Sequence, residues 1–176
     1  MQQEWQEIQA AQANPAQFRT LYDRYYAAIF HYIYRRTQQE ALTADLCSQV
    51  FLKALQHLGK YQFRGVPFSA WLYQIARNEI AQHFRHSQKR RVVSVDDANL
   101  SEMIAEIEED DQEALRDALI RTLDDLKAAD LELIELRFFE QRAFKEIAQI
   151  LNISESNAKV RTYRLLGKLK KKLQAK

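Results

Sequence analysis

FKEIAQILNISESNAKVRTYRLLGKLKKKL, residues 144–173, carries the parts of a helix-turn-helix and decides how the rest of the chain is read. Ala148 is small where two helices must cross closely, and Ile147, Leu151 and Ile153 supply apolar contacts that fix the crossing. Asn152 falls at the turn, where the backbone needs a positive φ that asparagine tolerates better than most residues. Ser154 is a suitable N-cap for a second helix, and Ala158 falls on that helix's inner side. Laid in a major groove, such a helix points its early exposed residues at base edges. Lys159, Tyr163, Arg164 and Lys168 form a strip of long donors, able to read guanine edges or hold phosphates.

Upstream, the same helical logic continues. Leu115, Leu119, Leu123 and Leu126 mark one helix, and Leu131, Ile134, Leu136 and Phe138 another. Near the start, Asn14-Pro15-Ala16-Gln17 reads as a helix opening, with Asn14 as cap and glutamine reaching back from the third position. Phe18, Leu21, Tyr22, Tyr25, Ile29, Phe30 and Ile33 then follow helical spacing. A helix over about 41–58 places Leu46, Val50, Phe51, Ala54, Leu55 and Leu58 on one face before Gly59. A third, from about Pro67 to Arg85, has Phe68, Trp71, Leu72 and Ile75 on its buried side, where Trp71 is read as core. Residues 1–13 carry no assignment.

The 176 residues include only three glycines and two prolines, and few stretches alternate as strands do. The fold class expected is all-α, in two small helical domains. The formal net charge of +2 hides a segregation. Residues 96–113 hold nine carboxylates and no Lys or Arg, whereas 154–176 hold eight Lys/Arg against Glu155 alone. The composition shift gives a first domain over 1–91, a solvated, flexible acidic linker over 92–112 and a second domain over 113–176.

KYQFRGVPF, residues 60–68, is unusual for a connector, holding two basic and three aromatic side chains beside Gly65 and Pro67. HFRHSQKRR, residues 83–91, adds four Lys/Arg without an acid. Basic groups interleaved with aromatic rings suit single-stranded nucleic acid, where rings stack on bases and cations follow the backbone. His31, His57, His83 and His86 make no metal or triad pattern with Cys47, and no phosphate-cradling glycine loop occurs. The expectation is a non-enzyme without cofactor or metal. A lone cysteine, no leader-like start and no membrane-length apolar run point to a soluble cytoplasmic protein without membrane insertion.

Three stretches in this order resemble an extracytoplasmic-function (ECF) RNA polymerase sigma factor of the sigma-70 family. They are FRTLYDRYYAAIFHYIYRR (18–36), FRGVPFSAWLYQIARN (63–78) and FKEIAQILNISESNAKVRTYR (144–164). The resemblance implies a region 2 that grips the polymerase clamp and opens DNA at the minus-ten element, and a region 4 that reads the minus-thirty-five element. It places clamp binding on Asp45, Leu46, Gln49, Phe51 and Leu52. There DLCSQVF departs from a pattern resembling DLVQETF, with Gln49 where a carboxylate is frequent. It gives capture of an extruded non-template base to Phe63, Arg64 and Asn78, with Arg85 in the neighbouring basic segment. It gives phosphate contact to Arg137 and upstream readout to Lys159, Val160, Tyr163 and Arg164. Val160 stands where a small hydroxyl residue is common and can only pack on a thymine methyl. The partners implied are core polymerase, duplex and single-stranded promoter DNA, and an anti-sigma factor. The rival reading is a stand-alone helix-turn-helix regulator, which has no need of the loop at 60–68.

Overall fold

Apolar residues recurring at three- and four-residue intervals build the long helices among the residues that the computed structural model describes, which are 2–87, 103, 122–123 and 126–174. The acidic stretch and residues 88–91 lie outside them, except Met103, as do Leu115 and Leu119. The chain divides into two compact units, Met1–Ser94 and Val95–Lys176.

In the first unit, α1 (Gln2–Ala13) occupies the segment left unassigned from sequence. Ile8 and Ala11 are its buried apolar residues. Asn14 then accepts a hydrogen bond from the Ala16 amide at 3.1 Å, as a cap should. What it caps is a single 3-10 turn, Pro15–Gln17, and the Gln17 amide donates to the Asn14 carbonyl. The long helix α2 (Phe18–Thr37) follows, burying Phe18, Leu21, Ile29 and Ile33. It stops where Gln38 turns left-handed at φ 52° and donates its amide to the Tyr34 carbonyl.

The helix α3 (Glu40–His57) buries Leu46, Cys47, Val50, Phe51 and Ala54. Leu55 was expected on that face but is exposed, because its position lies one residue beyond the Val50–Ala54 stripe. Thr37 and Thr43 join α2 to α3 through hydroxyls 2.6 Å apart in the core. Burial pushes the Cys47 thiol up to about 12, so it packs as an inert apolar residue.

The helix α4 (Phe68–Ser87) buries Phe68, Leu72, Tyr73, Ala76 and Ile80; Phe68, Leu72, Ala76 and Ile80 recur every four residues, with Tyr73 beside them on the same face. Trp71 is only half-buried, at the margin of this core, where its ring meets Tyr61 and Phe68. Ile75 is half-buried too, so both sit beside the α4 stripe rather than on it.

In the second unit α5 (Ala128–Ile134) runs into a turn of π-helix, Glu135–Phe139. Leu133, Ile134, Leu136 and Phe138 are all buried there. A left-handed Gln141, φ 52°, redirects the chain into α6 (Phe144–Leu151). The last element is α7 (Glu155–Gln174).

Candidate nucleic-acid interface

The turn between α6 and α7 is built from short-range contacts. Ahead of α6, the Glu146 carboxylate reaches back to accept the Ala143 amide at 3.0 Å, one of the orphan donors at that helix start. Asn152 adopts φ 55° and ψ 48°, the left-handed conformation expected of it. The Ile153 amide closes the helix end on the Ala148 carbonyl at 3.0 Å. Ser154 caps α7 by accepting the Asn157 amide at 3.1 Å. Ala158 is fully buried against α6, with Ile147 and Ile150 buried opposite. Thr162, one turn on, satisfies its buried hydroxyl on the Ala158 carbonyl at 2.9 Å.

With that face inward, Lys159, Val160, Tyr163, Arg164 and Lys168 are exposed together on α7. Half of Val160 (52%) and of Tyr163 (49%) faces solvent, unusual exposure for large apolar groups and suited to contact with base methyls and sugars. Arg161 points elsewhere. Its guanidinium bonds the Asp130 carboxylate at 3.0 Å and so ties α7 to α5. Arg137 is half-buried, its guanidinium 5.0 Å from the centre of the Phe144 ring, with Nη1 donating to the Arg142 carbonyl at 3.4 Å. The Phe144 ring and the Arg142 carbonyl together fix the orientation of this cation.

In the first unit the loop between α3 and α4 places Phe63 half-buried and Arg64 exposed. Gly65 takes φ 71° at its apex, a conformation a side chain would strain. Asn78 and Arg85 are exposed on α4, so the four residues expected at the downstream element are all accessible.

Sequence reasoning missed what holds this loop. Gln12 of α1 donates Nε2 to the Leu58 and Tyr61 carbonyls at 2.9 and 3.0 Å. Glu4, buried, accepts the Phe68 amide at 3.2 Å and thereby caps α4 from 64 positions away. The same carboxylate accepts the Tyr25 hydroxyl. Burial, and then this bond, push the Tyr25 phenol well above its ordinary range. Only Asn14-Pro15, by ending one helix and starting another, hinted that residues 1–13 form an element.

On α3 the expected clamp residues divide. Asp45, Gln49 and Leu52 are exposed, Leu52 by 55%, whereas Leu46 and Phe51 lie in the core and can only shape the face from beneath. Asp45 and Gln49 line a groove of about 260 Å³ between α3 and α4 with Lys53, Glu79, Gln82 and His83. Lys53 bonds both oxygens of the buried Glu79 at 2.7 Å. A carboxylate at position 49 would stand one helical turn from Lys53 and compete for it; Gln49 leaves the pair intact.

Among the described residues no helix is long and apolar enough to cross a membrane, and no group of His, Cys, Asp or Glu could hold a metal ion.

Residues 21–91 match the family profile of Sigma-70 region 2, and residues 116–169 that of Sigma-70, region 4. The ECF RNA polymerase sigma factor BldN of Streptomyces coelicolor is 36% identical over 169 residues, covering 92% of this chain and 62% of the relative, so the chain spans under two thirds of that protein's length. The ECF RNA polymerase sigma factor SigL of Mycobacterium tuberculosis is 30% identical over 168 residues, covering 94% of this chain and 93% of the relative. Among solved structures, the sigma factor RpoE in complex with the anti-sigma factor NepR from Bartonella quintana aligns with a TM-score of 0.58 at 20% identity, covering 89% and 96% of the two chains. Two region profiles in the family's order, over units built as a helical bundle and a helix-turn-helix, show that the chain belongs to the sigma-70 family as an ECF RNA polymerase sigma factor.

Proposed function

We propose that this sigma factor grips promoters at two points, with residues 1–91 as region 2, 92–112 as connector and 113–176 as region 4. The exposed strip of α7, set out from a helix-turn-helix whose turn is closed by Asn152 and whose second helix is capped by Ser154, carries the reading.

Lys159, Tyr163, Arg164 and Lys168 read or hold the minus-thirty-five element from the major groove. Val160 packs on a thymine methyl and shifts sequence preference there. Arg137, braced on Phe144, takes a backbone phosphate. At the minus-ten element Phe63 and Arg64 receive an extruded base and its backbone, Asn78 bonds a base edge and Arg85 adds a phosphate contact. The exposed Asp45, Gln49 and Leu52 meet the clamp of core polymerase, supported from below by Leu46 and Phe51. An uncharged Gln49 costs that interface little, since an exposed ion pair contributes under about 1 kcal/mol.

The protein performs no chemistry of its own. It works in the cytoplasm on a polymerase that supplies the catalysis. An anti-sigma factor is the partner proposed to hold it inactive, in line with the complex known for the Bartonella relative.

Run-off transcription with core polymerase tests the reading. Promoter-dependent product is expected only when the chain is present, and its absence on a cognate promoter overturns the proposal. In the same assay Arg164→Ala should weaken upstream recognition by roughly 1–3 kcal/mol if Arg164 reads a base, and weaken all sequences alike if it holds phosphate. Unchanged binding removes Arg164 from the site.

A further inference from the structure

Nothing in the two-point grip requires α1, yet α1 holds the loop between α3 and α4 at both ends. Gln12 fixes the entry through the Leu58 and Tyr61 carbonyls, and Glu4 fixes the exit through the Phe68 amide. The helix is itself anchored to α2, by Glu7 and Arg24 at 2.6 Å and by Glu4 and Tyr25. These contacts suffice to set the backbone.

Between them α1 makes one more approach, from Trp5. Its ring centre stands 5.7 Å from that of Phe63, with the planes inclined by 34°. Both rings are half-buried and therefore keep accessible surface. Phe63 is followed by the exposed Arg64 and by Gly65 at the apex. A pair of partly exposed rings beside an exposed guanidinium is an arrangement on which an unstacked base can rest while a cation meets its phosphate. Were Trp5 present only to fill space, burial beside Ile8 would serve better than a half-open position over the loop.

We propose that Trp5 is a base-stacking residue for promoter opening: with Phe63 it forms the aromatic wall on which a base extruded from the non-template strand stacks. The inference rests on the reading of the 60–68 loop as the base-capturing segment and extends the site to a helix outside the matched region 2 profile, which begins at residue 21.

The test uses holoenzyme and promoter templates carrying an abasic nucleotide at each non-template position of the minus-ten element in turn. Wild-type holoenzyme should open the template more slowly when the captured base is missing, by roughly fivefold or more, the lower end of what one base–aromatic stack is worth. Trp5→Leu, which keeps an apolar side chain but no ring, should be slowed by a similar factor on the intact promoter. On the template lacking the captured base it should match wild type.

A Trp5→Leu holoenzyme that opens the intact promoter as fast as wild type overturns the inference. So does one slowed equally on intact and abasic templates, the mark of a structural role. If Trp5→Leu fails to bind core polymerase, Trp5→Met, a flexible apolar side chain that also lacks a ring, decides by the same comparison: a deficit that vanishes on the abasic template supports stacking, and no deficit or a persistent one overturns it. A wild-type enzyme indifferent to every abasic position sinks the loop reading and this inference together, whereas a sensitive wild type with an unresponsive Trp5 sinks the inference alone.

Discussion

The two parts of the molecule proposed to face DNA are held in shape by opposite means. In the helix-turn-helix the bonds that cap the helices and close the turn each span a handful of residues: Glu146 to Ala143, Ile153 to Ala148, Ser154 to Asn157. The loop between α3 and α4 is held by bonds spanning 46 to 64 residues, from Gln12 and Glu4. Local devices form with the helix they cap and specify a rigid helix pair. A loop gripped from a distant helix takes shape only once the bundle has assembled, so on the proposed reading single-stranded bases would be met by tertiary structure.

Raising the pH should break the first unit with the largest effect. Cys47 keeps its proton to about 12 and Tyr61 to about 12, Cys47 through burial and Tyr61 chiefly through burial. In the unfolded chain the thiol ionises near 8.5 and the phenol near 10. Folded pKa values above the unfolded ones mean that stability is whole below about pH 8.5 and drains away as the pH climbs towards 12. Thermal melts across that window should show it, and thiolate absorbance appearing in folded protein near pH 9 would refute it.

Glu4→Ala comes next. It strands the buried Phe68 amide and the Tyr25 hydroxyl together, at about 1–3 kcal/mol for each unsatisfied group. Urea denaturation followed by a probe in the first unit should record the loss, with faster hydrogen exchange at the Phe68 amide. Unchanged exchange there would dissolve the contrast between local and distant support.

Asn152→Val should cost the second unit about 1–2 kcal/mol, the penalty of a left-handed backbone with a branched Cβ. Asn152→Gly should fold normally. Equal stability of the two variants would show that the turn is not held at positive φ. The smallest effect is expected of Ser154→Ala, about 1 kcal/mol for the lost cap. It should appear as fraying at the first turn of α7 in hydrogen exchange, with Ala158 protected as before.

The same contrast explains what could be read in advance. Asn152, Ser154 and Ala158 were legible because their roles depend on near neighbours and on spacings that repeat. Leu55 was misplaced for a physical reason: at α3 the apolar residues exceed what one face can bury, so periodicity alone does not say which one is left outside. Leu46 and Phe51 lie in the same run as the exposed Leu52, and a pattern of residue types does not separate contact from support. The Glu4 and Gln12 bonds had no sequence signal, since neither partner's identity predicts a backbone group tens of residues away. Trp5 stood in a segment whose weak amphipathicity announced no role.

The ion pair between Arg161 and Asp130 bears on engineering. Regulatory circuits are often rewired by transplanting one recognition helix into another scaffold, as though it were an interchangeable cassette. Here one of the helix's own cations is committed to α5, so its rotation about its axis belongs to the host domain as much as to the helix. A graft of residues 155–174 into a scaffold lacking an acid at the position of Asp130 would free Arg161 to compete for phosphate. If the strip reads bases as proposed, the transplanted helix would then meet them out of register, and a redesigned promoter code would have to move α5 and α7 as one part.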